Sequence, residues 1–167
     1  MRARIVEAES YRAEDDPASH AYRGETPRNR IMYGEVGIAY VYFNYGVHWM
    51  LNVIAHEPGR AAGILIRAAE PLQGLEAMRA NRGPVKDREL LSGPGKLAQA
   101  FGITGADNGL DLLDESSSLR LYPREGDVRI VATPRIGIAE GKGHELPWRF
   151  IDADRLEWCS RRTLPSP

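Results

Sequence analysis

The sequence predicts a single α+β domain built on a mostly antiparallel sheet. Three observations carry this. Segments rich in β-branched and aromatic residues lie towards both ends of the chain, two segments of helical period fall between them, and one pair of β-rich runs is joined by an Asn/Gly turn that reads as a hairpin.

The elements follow in order. Ile5 to Tyr11 alternates as a strand does. Arg12 to Ala21 is polar and holds Asp15-Asp16-Pro17, a helix start or a turn, and Thr26-Pro27-Arg28-Asn29-Arg30 is a turn-forming link. Ala39–Phe43 and His48–Ile54 flank Asn44-Tyr45-Gly46-Val47 as the two arms of a hairpin. Gly63–Ala69 is a further strand. Leu72, Leu75 and Met78 recur at helical spacing within Pro71–Arg82, and Gly93-Pro94-Gly95 opens a second helix over Lys96–Phe101. Arg129–Thr133, Arg135–Ile138 and a short Trp148–Ile151 complete the expected strands.

At 167 residues the chain suits one domain over 1–167, with Thr163–Pro167 as a loose tail. That length buries a core without staples. The single cysteine, Cys159, can form neither an internal disulfide nor a cysteine-rich zinc site, which points to a reducing compartment. The opening Met1-Arg2-Ala3-Arg4-Ile5-Val6-Glu7 has no apolar signal region, and no apolar run is long enough to span a bilayer. A cytoplasmic, intracellular protein with no membrane contact is the expectation. The net charge of −1 argues mildly against a nucleic-acid partner. Between Gly102 and Asp127, however, acids outnumber Arg120 and Arg124, and the remainder is slightly basic. A basic face opposite an acidic one suits few phosphate contacts and moderate salt dependence.

Gly93-Pro94-Gly95-Lys96-Leu97 lacks the hydroxyl and the earlier glycine of a nucleotide loop, and neither a dinucleotide fingerprint nor a zinc-hydrolase or zinc-deaminase signature occurs. No cofactor and no metal are therefore expected. Other residues stand out. Glu7, Glu9 and Tyr11 share one face of their strand, either as solvated acids on a sheet surface or as a carboxylate base beside an aromatic wall. His20 is a surface or satisfied histidine, or a site residue. Tyr45 falls at a turn tip, where a ring gains nothing from burial; it either folds back on the domain or acts as a wedge between bases. Asn52 and Arg67 interrupt apolar strands, where a polar group needs a partner or an outward position. Arg28, Arg30 and Lys96 lie beside turns or a helix start, places that suit either phosphate or solvent.

Taken in order, Arg4-Ile5-Val6-Glu7-Ala8-Glu9-Ser10-Tyr11, His20, Thr26-Pro27-Arg28-Asn29-Arg30, Tyr40-Val41-Tyr42-Phe43-Asn44-Tyr45-Gly46, Asn52, Arg67-Ala68-Ala69-Glu70-Pro71-Leu72 and Ser92-Gly93-Pro94-Gly95-Lys96-Leu97 form a pattern that resembles the alkyladenine DNA glycosylases, the mammalian-type 3-methyladenine DNA glycosylases. The resemblance runs from about Arg4 to Ile151. It implies a curved sheet with a protruding hairpin that inserts into DNA, and a monomer acting on damaged double-stranded DNA. It implies Glu9 as general base for a water, with Arg67 beside that water. It implies Tyr11 and Tyr42 around the flipped base, His20 at its edge, Asn52 crowding the amine of guanine, and Tyr45 in the gap left in the duplex. The chain departs from the family in being short, without an N-terminal extension and with a brief segment before Lys86. It departs also at Val47-His48-Trp49-Met50, which leaves the damage range open.

The chemistry fits such residues. Extruding a base costs a few kcal/mol, roughly, and stacking on aromatic rings returns about 1–3 kcal/mol per base. Cleavage passes through an oxocarbenium-like state that a carboxylate stabilises. A cationic base leaves unaided, whereas a neutral one needs a proton, for which His20 and a bound water are both open. No lysine stands in the core set to attack the sugar, so hydrolysis without strand nicking is expected. Two rival readings remain at this stage. A module that stacks single-stranded nucleic acid explains the tyrosines and arginines but leaves Glu9 unexplained. A small-substrate hydrolase using Glu9 and His20 leaves Tyr45 unexplained.

Overall fold

The computed structural model describes residues 1–162; the tail 163–167, expected to be loose, lies outside the described residues. Its centre is a six-stranded sheet in which every pairing is antiparallel, in the order β2-β3-β4-β1-β6-β5. The strands are β1 (Arg2–Arg12), β2 (Ala39–Asn44), β3 (His48–Ile54), β4 (Ala62–Gln73), β5 (Ile130–Thr133) and β6 (Arg149–Asp152). Helices α1 (Leu75–Arg82), α2 (Asp87–Leu90) and α3 (Pro94–Phe101) separate the early strands from the late ones. The α+β architecture is as the sequence predicts.

Alternation along the strands divides the chemistry between two faces. Val41, Leu51, Val53 and Ile66 join Met78, Leu90 and Leu97 of the helices in the principal apolar core. The opposite face carries Tyr40, Asn52, Leu65, Arg67 and Glu9, as the strand register requires. A cavity of about 730 Å³ opens on the helix side, lined by Leu51, Ile66, Leu97, Phe101 and Phe150 among others. It includes neither Glu9 nor the tyrosines at 11, 40 and 42.

One boundary, one added helix and one absent strand are the main departures from expectation. The first helix begins at Leu75 rather than Pro71, because Pro71 and Gln73 continue the β4 ladder opposite Ala3 and Arg2. Gly74, at φ +80°, then turns the chain into the helix. The single turn α2 was not anticipated; it buries Leu90 and is tied to α1 by Arg79 Nη2 and Asp87 Oδ1 at 2.7 Å. Arg135–Ile138 is not a strand. The left-handed Gly137, at φ +77°, breaks the extended run, and the N–H of Ile136 goes to a side chain instead of a ladder.

Candidate active site

One row of directly opposed residues crosses the whole sheet: Tyr40, Asn52, Leu65, Glu9, Arg149 and Thr133. Opposed residues share a face, so residues distant in sequence converge there. Tyr42, Arg67 and Tyr11 lie two positions along their own strands from members of this row and therefore join its face.

Glu9 is fully buried, which removes the reading of a solvated surface acid. Its Oε1 accepts the Ile136 N–H at 2.7 Å, and its Oε2 accepts the Tyr11 hydroxyl at 2.9 Å and Arg67 Nη1 at 3.1 Å. The other half of the Arg67 guanidinium faces Glu7, with Nε 3.3 Å from Oε1. Glu7 is also buried and is satisfied separately, by Arg149 Nε at 2.6 Å and by the Ser160 N–H at 2.6 Å and hydroxyl at 2.8 Å. Arg67 thus stands between two buried carboxylates. Burying charges is costly, and a buried ion pair is poor evidence for added stability.

Burial, followed by the charge of Glu9, pushes the Tyr11 hydroxyl well above the usual phenol range, so it remains a donor to Glu9. Burial likewise pushes Tyr42 up to about 12. His20 meets the Tyr42 ring edge-on, with centroids 4.6 Å apart, and shares a 2.9 Å hydrogen bond between its Nδ1 and the Tyr40 hydroxyl. His20 is exposed overall, but desolvation of its ring against the tyrosines, and then the Arg28 charge, lower its pKa, which favours the neutral ring. The loop carrying His20 is tied down by buried Asn29, whose Nδ2 donates to the carbonyls of His20 at 2.8 Å and Gly24 at 2.9 Å. Asn52 is buried and donates from Nδ2 to the Tyr40 carbonyl at 3.1 Å, so its amide is fixed on the row.

The hairpin of β2 and β3 carries Tyr45 at its tip. Tyr45 is 93% exposed and is the only non-glycine with positive φ among the described residues, at +49°. Gly46 follows at +67°, and Val47 N–H closes the turn on the Asn44 carbonyl at 3.0 Å. An exposed aromatic ring in a left-handed conformation, which costs roughly 1–2 kcal/mol, does not fold back on the domain. The turn end of the hairpin abuts α3: a Cβ on Gly95 would come within 2.7 Å of the ring of His48, the first residue of β3.

The three cations that the sequence singled out lie apart from the buried cluster. Arg28 is exposed, with its guanidinium 5.8 Å from the Tyr42 ring centroid. Arg30 pairs with Glu25 at 3.1 Å. Lys96, on the first turn of α3, lies 3.4 Å from the Ser92 hydroxyl, and Ser92 bridges to Ala68, the neighbour of Arg67.

Several residues of the cluster escape sequence reasoning. Arg149, like Arg67, is a charge within a strand, but its strand is only four residues long and holds a second charge, Asp152, so the sequence does not mark it out. The Ile136 N–H, Ser160 and the buried pair Asp16–Arg135 have no local signal, since their partners lie more than a hundred residues away.

A profile of the methylpurine-DNA glycosylase family matches residues 1–156. Proteins named "Putative 3-methyladenine DNA glycosylase" are similar over most of the chain. One from Rhodopseudomonas palustris (strain ATCC BAA-98 / CGA009) is 53% identical over 146 residues, covering 87% of this chain and 68% of that protein. Those from Chlorobaculum parvum and Burkholderia lata are 49% and 48% identical, covering 91% and 88% of this chain and 72% of each relative.

Proposed function

This chain belongs to the methylpurine-DNA glycosylase family, and from that premise we propose that it removes damaged purines from double-stranded DNA by hydrolysis. The substrates are 3-methyladenine and the wider class of 7-methylguanine, hypoxanthine and ethenoadenine. The product is an abasic site in an unbroken strand, and the protein acts as a monomer.

The observation that carries the assignment of the base is Glu9, a buried carboxylate held by donors from three separate segments. Glu9 orients a water and takes its proton as the oxygen attacks the anomeric carbon. Its negative charge stabilises the oxocarbenium-like state as the glycosidic bond breaks. The bond's electron pair leaves with the base, and the sugar gains the hydroxyl. Arg67 holds Glu9 from one side and offers a donor near the water. Tyr11 and Tyr42 stack on the extruded base, His20 hydrogen-bonds its edge, and Asn52 crowds the exocyclic amine of guanine. Tyr45 fills the vacated space in the duplex, while Arg28, Arg30 and Lys96 meet the phosphates. Cationic lesions leave without a proton donor; for neutral ones, His20 or a bound water supplies it.

The test is a duplex carrying one hypoxanthine, incubated with the protein and then with or without hot alkali, beside Glu9→Gln. Strand cleavage only after alkali, lost by a factor of roughly 10²–10⁴ in the variant while lesion binding persists, is the expected result. Ethenoadenine and methylated-purine duplexes follow. Full activity in Glu9→Gln would remove Glu9 as the base, and silence of the wild type on all three duplexes would overturn the reading of function.

A further inference from the structure

Behind Tyr11 lies a second buried ion pair that the mechanism above does not use. Arg135 and Asp16 have fully buried side chains and meet through two parallel bonds, Nη1–Oδ2 at 2.6 Å and Nη2–Oδ1 at 2.8 Å. The guanidinium also lies 4.6 Å from the Tyr11 ring centroid and 5.0 Å from that of Trp148. Arg12 lies over the same Trp148 ring at 5.2 Å, so cations and rings alternate as Arg12, Trp148, Arg135, Tyr11. The Arg135 Nε has no hydrogen-bond partner among the described residues.

The contacts of this pair reach β1 next to Glu9 and the turn that leads to His20. Asp16 also accepts the backbone N–H groups of Arg12 at 3.1 Å and Ala18 at 3.1 Å, which shapes the turn leading to His20. Arg135 Nη1 donates to the Ser10 carbonyl at 3.0 Å, between Glu9 and Tyr11 on β1. The residue after Arg135 supplies the N–H that holds Glu9. A planar fork can bind a carboxylate and stack on a ring at once; a lysine ammonium cannot reproduce both.

We propose that Arg135 is a positioning residue for base excision, backing the Tyr11 ring against which the extruded purine stacks and holding the Ile136 amide on Glu9. The inference rests on the reading of Tyr11 and Glu9 given above. With one face of Tyr11 covered by a fixed cation, the ring keeps its orientation before DNA arrives, and ordering it costs nothing at binding. Asp16 neutralises the cation and sets its plane.

The test compares wild type, Arg135→Met, Arg135→Lys and Asp16→Asn under single-turnover conditions on a hypoxanthine duplex. The maximal rate, the half-saturating protein concentration and the melting temperature are measured for each. Loss of the cation–ring contact in Arg135→Met is expected to raise half-saturation about 2- to 30-fold and also to lower the maximal rate. Arg135→Lys is expected to recover half-saturation towards wild type while its maximal rate stays depressed. Asp16→Asn, which keeps the cation, is expected to lose rate more than half-saturation. A structural role alone would lower the melting temperature and the active fraction while leaving both kinetic constants of the folded protein unchanged; that result overturns the inference. Should Arg135→Met fail to fold, the rate and half-saturation of the lysine and asparagine variants decide in the same way. If the wild type is inactive on hypoxanthine, the same comparison is run on the ethenoadenine or methylated-purine duplex; an active wild type with unaffected variants removes only this inference, whereas a wild type inactive on all three duplexes removes the function and this inference with it.

Discussion

The backbone N–H of Ile136 donates to Glu9 Oε1 at 2.7 Å, joining two residues 127 positions apart. Glu9 is thereby held by main chain from one loop, by the Tyr11 hydroxyl from its own strand and by Arg67 from the neighbouring strand. Each bond restricts a different rotation of the carboxylate. In the proposed role of base, a carboxylate fixed in this way would meet its water with little reorganisation.

Arg67 is the member of this arrangement with no substitute. Arg67→Met leaves Glu9 without its cation and Glu7 with Arg149 as its one cation. Breaking a buried pair of this kind costs about 3 kcal/mol. For a domain of this size that lowers the melting temperature by roughly 6–12 °C, as calorimetry would measure. Base release by the folded variant should fall as well. An unchanged melting temperature would mean that the two carboxylates are not held by this guanidinium.

Tyr45 behaves oppositely. Because its ring is 93% exposed, Tyr45→Ala should change stability by less than about 0.5 kcal/mol. Lesion release from duplex DNA should drop roughly 5- to 100-fold, the range that base stacking covers. Release from a single-stranded lesion, where no gap needs filling, should change far less. Equal losses on both substrates would exclude the wedge.

Asn52 offers a test of selectivity. Its amide is pinned by the 3.1 Å bond to the Tyr40 carbonyl and cannot swing aside. Asn52→Ser removes that obstruction, and guanine release from undamaged duplex should rise above background while hypoxanthine release persists. If chromatography of the released bases detects no guanine, Asn52 is not what excludes it.

The histidine in the site predicts a pH effect of definite sign. Ring desolvation, then the Arg28 charge, lowers the His20 pKa below its ordinary value, so the unfolded chain binds a proton there first as pH falls. Its contribution to stability is present above pH ~6.5 and is lost as pH falls from there through the folded pKa. Melting temperatures between pH 8 and pH 5 should therefore decline less in His20→Gln than in wild type. A parallel decline in both would show that the imidazole does not carry this linkage.

Local pattern alone determined the hairpin and most of the strands and helices, though not the loop at Arg135–Ile138 or the start of α1, because alternation, turn residues and helical period are recorded within a few residues of one another. It also singled out Arg67 and Asn52 as polar residues in apolar strands, and Tyr45 as a ring at a turn tip. Family resemblance joined these to Glu9, Tyr11, His20 and Tyr42. Tertiary structure decided what surrounds them. That Glu9 is buried rather than solvated follows from sheet order, which places β1 between β4 and β6. That Arg149 answers Glu7 follows from register across 142 residues. The same holds for Asp16 and Arg135, whose segments read as a turn and a strand and whose fork joins residues 119 apart. Such contacts lie outside any local window because a buried charge is satisfied by whatever partner the fold brings to it, and chain separation imposes no pattern on that choice.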